Sequence, residues 1–322
     1  MGRLCGENEL VRKIERAFPA SGKSALGLGI GDDAALYQPR AGREIVLTCD
    51  WFLEGSHFLR EKHPAGSVGW KCLARAVSDI AAMGSEPRCF LLSLALPPNA
   101  TGKWLNGFLG GLRRASKTLH CELAGGDTTR RDEILINVTV IGEVRKGQAV
   151  RRAGAKEGDL IYVSGCLGEA ELGLLLLRRS GVARVEQNRA LRKHLYPEPR
   201  LALGKWLAEK HMATSMIDIS DGLSTDLGRM CASSDVGALI QAERLPVSMQ
   251  ASSNDRLTLS LHGGDDYELL FTVKPESARK IPGEFKGVSI TKIGKIMTGK
   301  TILLQRGDHT SRLKAQGWDP FR

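Results

Sequence analysis

The run Glu44-Ile45-Val46-Leu47-Thr48-Cys49-Asp50 decides how the first half of the chain is read. Branched and apolar residues give it the composition of a strand, and it ends on a carboxylate. The period then changes. From Ser67 to Met83, Trp70, Leu73, Val77 and Ile80 recur at helical spacing, and Gly84 closes the segment. Outward from this pair the alternation continues. Trp104, Phe108 and Leu112 mark a second helix ending near His120, and the β-branched run Ile134 to Ile141 reads as a further strand. Charged and Gly-containing residues from Arg145 to Gly158 read as a linker, dividing the chain into domains of 1–148 and 149–322. Beyond it, strands are expected at Leu160–Val163, Met216–Ile219, Gly237–Gln241 and Glu268–Val273. Helices are expected at Gly168–Arg179 and Gly222–Cys231, and a hairpin at Met297–Lys300. The fold class is α/β in two domains.

Composition narrows the function classes. An apolar fraction of 42% with 25% charged residues over 322 positions suits a soluble globular protein. Apolar stretches such as Leu174–Leu177 are far too short to span a bilayer. Met1 to Val11 is polar where a secretory signal needs an apolar region, so a cytoplasmic location is expected. Seven cysteines are scattered with no C-x-x-C pair, which argues against a disulfide framework and against structural zinc. Net charge is +10, yet the basic pairs (Arg113-Arg114, Arg130-Arg131, Arg151-Arg152, Arg178-Arg179) stand apart, and aromatics make up only 5%. No basic stripe with stacking residues emerges, so no nucleic-acid partner is expected; a basic surface also suits phosphorylated metabolites.

The chemistry sits in aspartates set among glycines and small residues at the edges of apolar runs. They are Gly31-Asp32-Asp33-Ala34, Thr48-Cys49-Asp50, Ser78-Asp79, Gly125-Gly126-Asp127-Thr128, Asp218-Ile219-Ser220-Asp221-Gly222 and Gly264-Asp265-Asp266. Taken singly, each has a plain structural use: Asp33 as a turn cap, Asp221 as a helix N-cap, Asp79 as an i,i+4 partner of Arg75. Taken together, hard oxygen donors without histidine or thiolate company suit magnesium, which completes its shell with substrate phosphates. The set points to phosphoryl transfer.

Two decoys fall away. Ser21-Gly22-Lys23-Ser24 looks like the end of a Walker A loop, but Ala17 stands where that motif needs glycine. Gly29-Ile30-Gly31-Asp32-Asp33-Ala34 fits a loose dinucleotide pattern, but two adjacent carboxylates would repel a pyrophosphate unless a metal intervened. His57, seven residues after Asp50, is the one histidine near an acidic motif, and no nucleophile signature is present.

At these motifs the chain resembles the thiamine-monophosphate kinases. Gly29-Ile-Gly-Asp-Asp-Ala-Ala35, Thr48-Cys-Asp-Trp-Phe-Leu-Glu-Gly-Ser-His-Phe58 and Gly69 to Gly84 carry the N-terminal half of the resemblance. Gly125-Gly-Asp127, Val163-Ser-Gly-Cys-Leu-Gly168, Met216-Ile-Asp-Ile-Ser-Asp-Gly-Leu223 and Gly263-Gly-Asp-Asp-Tyr-Glu-Leu269 continue it in the same order. The wider superfamily includes aminoimidazole-ribonucleotide synthetase, selenophosphate synthetase and a hydrogenase-maturation protein.

The resemblance implies a two-domain PurM-like architecture with mixed α/β (α+β) sheets. The N-terminal sheet would pair across a homodimer, and the C-terminal domain would complete an ATP-binding cleft. It implies γ-phosphoryl transfer from ATP to thiamine monophosphate with several Mg2+ ions. Carried over by position, the metal ligands would be Asp33, Thr48, Asp50, Asp79, Asp127, Asp218 and Asp221. Nucleotide contacts would come from Gly126, Asp127, Arg152 and Ser220, and substrate contacts from His57, Asp265 and Trp318. Three positions depart from the family pattern: Cys49 for a threonine, Asp265 for a glutamate, and Leu109 for a tyrosine near the adenine. No general base is assigned, because a phosphate acceptor is already nucleophilic near neutral pH. The rivals are a superfamily synthetase, for which Cys5 would be the only reactive-thiol candidate, and a non-catalytic metabolite-binding relative.

Overall fold

The computed structural model describes residues 6–19, 25–30, 32–180 and 188–321. Cys5, Gly31 and the Ser21–Ser24 segment lie outside them. The chain divides into two compact units: Met1–Ile80 with Glu86–Lys146, and Ala81–Ser85 with Gly147–Arg322.

The first unit runs α1 (Glu7–Ala17), β1 (Leu26–Leu28), β2 (Leu36–Tyr37), β3 (Arg43–Leu53), α2 (Ala65–Ala82), β4 (Glu86–Leu96), α3 (Lys103–Leu119), β5 (Glu122–Arg130) and β6 (Leu135–Arg145). Its main sheet has the order β3-β6-β4-β5, antiparallel except for the parallel pair β4–β5. That parallel step needs a crossover, and α3 provides it. Leu73, Val77 and Ile80, the helical repeat seen in the sequence, are fully buried with Phe90, Phe108 and Leu112. Each such side chain contributes about 1.5–3 kcal/mol by leaving water. The opposite face of the sheet is different: Ile45, Leu47 and Trp51 on the edge strand β3 and Leu91 on β4 are exposed. The strand runs three residues past Asp50, and α3 ends where His120 turns left-handed (φ 52°).

The second unit runs β7 (Leu160–Ser164), α4 (Glu169–Ser180), α5 (Arg189–Leu195), α6 (Leu201–Glu209), β8 (Ser215–Ile219), α7 (Leu223–Ser234), β9 (Gly237–Gln241), α8 (Arg256–His262), β10 (Glu268–Val273), β11 (Glu284–Phe285), β12 (Val288–Met297), β13 (Ile302–Arg306) and β14 (His309–Arg312). Its sheet order is β14-β13-β9-β12-β7-β10-β8, with β11 paired to β12. The hairpin expected at Met297–Lys300 does not form. Ala238 of β9 registers antiparallel with Ile296 and parallel with Ile302, so β9 sits between the two strands that the turn connects. One sheet face packs Ile217, Ile219, Leu227, Ile240 and Leu270; the other packs Met216, Leu269, Phe271 and Leu207.

Candidate active site

In the first unit, β3 and the facing helix α2 bring two expected ligands together: the Thr48 hydroxyl donates to the Asp79 carboxylate. Thr48 and Asp50, two residues apart, share one face of β3. Cys49 points the other way, with its Sγ 3.2 Å from the Asn137 amide group. The cysteine departure therefore leaves the Thr48–Asp79 contact untouched. Asp127 sits on β5, at the opposite edge of the sheet, where it pairs with Ser93. Three strand spacings, about 14 Å, separate the two edges. Asp127 is exposed, as is Asp33. Among the described residues, no three His, Cys, Asp or Glu side chains are gathered as a metal-holding group.

Gly126 precedes Asp127 with φ +154°, and a Cβ there would lie 1.9 Å from the Leu92 carbonyl oxygen. The parallel pairing thus leaves a side-chain-free backbone beside the carboxylate. A cavity of about 150 Å³ opens here, lined by Val11, Ile14, Leu92, Leu123 and Gly125 to Thr128. Leu109 is buried. The His57 Nδ1 accepts from the Leu53 amide at 3.0 Å, so in the neutral ring Nε2 carries the proton.

In the second unit the convergence is tighter. β8 carries Asp218, and Ser220, Asp221 and Gly222 form the turn into α7. The Asp265 amide donates to the Ser220 carbonyl at 2.7 Å, and the Trp318 amide donates to the Asp221 carbonyl at 3.0 Å. Gly317 allows that approach, because a Cβ there would stand 1.8 Å from the same oxygen. Expected metal, nucleotide and substrate residues therefore meet at one strand end. The Trp318 indole is about half exposed, and Arg152 is exposed with its carbonyl accepting from Ser234. The Tyr267 hydroxyl donates to Asp265 at 2.6 Å, and His194 Nδ1 lies 3.9 Å from its other oxygen.

Several residues given no site role from the sequence hold this end in place. Asp266, fully buried, accepts from the Gly168 and Ala170 amides at 2.5 and 3.1 Å and so caps α4; burial pushes its carboxyl up to about 7. Glu268, also buried, accepts from the Ser164 hydroxyl and from both Lys193 and Arg200. Burial would raise its carboxyl, but the two cations overcome that and lower it to about 2. Asp221 is not the N-cap of α7; its carboxylate lies 2.5 Å from Arg229. Asp226 accepts from that turn, and burial together with Asp221 pushes it up to about 6.

Comparison with known proteins shows the family. The models described as AIR synthase related protein, N-terminal domain and C-terminal domain, match residues 31–144 and 156–305. The thiamine-monophosphate kinase of Escherichia coli (strain K12) is 36% identical over 328 aligned positions, covering 98% of each chain. The solved thiamine-monophosphate kinase from Stenotrophomonas maltophilia K279a superposes with a TM-score of 0.81 at 36% identity, covering 92% of this chain and 94% of its own. A structure described as AaThiL complexed with AMPPCP and TMP gives 0.74 at 30% identity, covering 99% of both.

Proposed function

The chain belongs to the thiamine-monophosphate kinase family of AIR-synthase-related proteins, and from that premise we propose that it transfers the γ-phosphoryl group of ATP to thiamine monophosphate, giving thiamine diphosphate and ADP. The observation that carries this reading is 36% identity over 98% of both chains to a kinase of that name. A relative complexed with AMPPCP and TMP supports the two-substrate form.

The acceptor phosphate supplies the nucleophile, so the protein's work is alignment and charge neutralisation. The donor set of Asp33, Thr48, Asp50, Asp79, Asp127, Asp218 and Asp221 offers only hard oxygens, which fits magnesium. Bound there, Mg2+ would neutralise phosphate charge. Gly126 lines the cavity beside Asp127, where its backbone would face a phosphate, and Arg152 would offer a bidentate partner. Ser220 is left its hydroxyl for the nucleotide, since its amide already serves Asp226. On the acceptor side, Asp265 would face the thiazolium, Trp318 would stack on an aromatic ring, and His57 would donate to the phosphate. Exposed Ile45, Leu47 and Trp51 on the edge strand favour pairing of the first unit with a second copy. The six described cysteines are all unpaired, in keeping with a reducing cytoplasm.

A screen with labelled ATP, Mg2+ and phosphorylated acceptors tests the reading. Labelled thiamine diphosphate is the expected product. Transfer to another acceptor, with thiamine monophosphate inert, would overturn it.

A further inference from the structure

The turn between β8 and α7 presents three consecutive amides, at Ser220, Asp221 and Gly222. Such a row is an anion-binding nest, and at a helix start it is where a phosphate would be expected. Here the nest is filled from within. Asp226, in the first turn of α7 and with no exposed surface, accepts all three amides on one oxygen at 3.1, 3.0 and 3.1 Å. Its second oxygen accepts from Arg229 at 2.7 Å, and the same Arg229 nitrogen lies 2.5 Å from the Asp221 carboxylate. With these three amides used up, the turn keeps only the Ser220 hydroxyl as a donor for an external anion. What it turns outward is the Asp221 carboxylate, itself partly exposed and held by a cation that is 43% exposed.

We propose that Asp226 is the positioning residue that makes this turn cation-facing, and that Arg229 is a resident counter-cation which a divalent metal displaces from Asp221. The inference rests on the metal role of Asp221 proposed above. Removing the Asp226 charge loosens the three-amide anchor and misplaces Asp221. Removing Arg229 takes away a competitor and leaves an extra negative charge beside the site, so both consequences favour metal entry.

The test is Mn2+ binding to the full chain without nucleotide, by calorimetry or electron paramagnetic resonance, on Asp221→Asn, Asp226→Asn and Arg229→Gln. Asp226→Asn is expected to weaken binding about tenfold or more, as the loss of an outer-shell partner does. Because Trp318 and Asp265 hang on the same turn, Asp226→Asn should raise the Michaelis constant for thiamine monophosphate too, whereas Arg229→Gln, which leaves the three amides on Asp226, should keep it within about twofold of wild type, a split that general loosening of the fold would not give. Arg229→Gln is expected to tighten Mn2+ binding severalfold. If Asp221→Asn binds as wild type, the metal reading of the turn falls. If Asp221→Asn weakens binding while either other variant, folded by circular dichroism, keeps wild-type affinity, the positioning inference falls. Should Asp226→Asn fail to fold, Arg229→Gln decides: tighter binding supports the inference, and unchanged or weaker binding overturns it.

Discussion

Asp32 and Asp127, in the first unit, each accept from the amide of the very next residue at 2.8 Å, and both lie exposed. Asp266 and Glu268, in the second unit, are buried and take partners 68 to 104 residues away. In the second unit the fold itself neutralises its carboxylates, and they in turn hold α4, α5 and β7 in place. At Asp32 and Asp127 the charge is left to water and to whatever cation arrives. Substitution should therefore cost stability at Glu268 and turnover at Asp127.

The largest expected effect is on stability. Glu268→Ala leaves the mostly buried Lys193 and Arg200 without their main counter-charge, and breaking such a pair costs about 3–5 kcal/mol. Hydrogen exchange of the β7 and β10 amides would register it; protection equal to wild type would erase the contrast between the units. Next comes turnover. Asp50→Asn and Asp127→Asn should each lower kcat by about 10²–10³-fold, the scale of one lost electrostatic contact to a transition state. For exposed Asp127 the urea stability should move by less than about 0.5 kcal/mol. A destabilised Asp127→Asn with normal turnover would reverse the assignment.

Acid should act on both units, since burial would raise the Glu143 carboxyl of the first unit but Tyr37 and Arg40 lower it. Glu268 sits at about 2 in the fold against an ordinary 4.5, so its stabilisation is present above pH 4.5 and is lost as pH falls toward 2. Asp266, raised to about 7, acts with the opposite sign: its contribution is present below an ordinary 3.8 and is lost as pH rises through 7. Urea titrations from pH 2 to 8 should show both limbs, and Glu268→Gln should flatten the acid one. Smaller still is Trp318→Ala, which keeps the Trp318–Asp221 backbone bond and should raise the acceptor Michaelis constant roughly fivefold through lost stacking, while leaving that of ATP unchanged. Arg152→Ala should do the reverse by a similar factor, since exposed charge contacts give about 1 kcal/mol or less. If both variants moved both constants equally, the two contacts would not be separate.

How much of this was legible depended on whether the deciding partner was near in sequence. Strands Gly237–Gln241 and Glu268–Val273 could be read to the residue, because short, mostly buried apolar runs between turn residues leave little choice. The α2 helix could be read from four apolar positions on one face. β4 carries Pro87 as its second residue, which lowers its strand signal, and the failed hairpin was decided by β9, about sixty residues away. The site aspartates were visible as motifs. Asp226, Lys193 and Arg200 were not, because an aspartate in a helix or a basic residue in a basic chain looks the same until its buried partner is in place.

The exposed edge strand β3 has one further consequence. Its partner in the main sheet is β6, whose first residue comes about eighty positions after the end of β3. At a synthesis rate of 5–20 residues per second, that is a wait of roughly 4–16 s on the ribosome. During it, Ile45, Leu47 and Trp51 stand on a strand that lacks its ladder. The nascent chain is then most vulnerable to sticking to its neighbours, and this strand is where a chaperone's protection would count most.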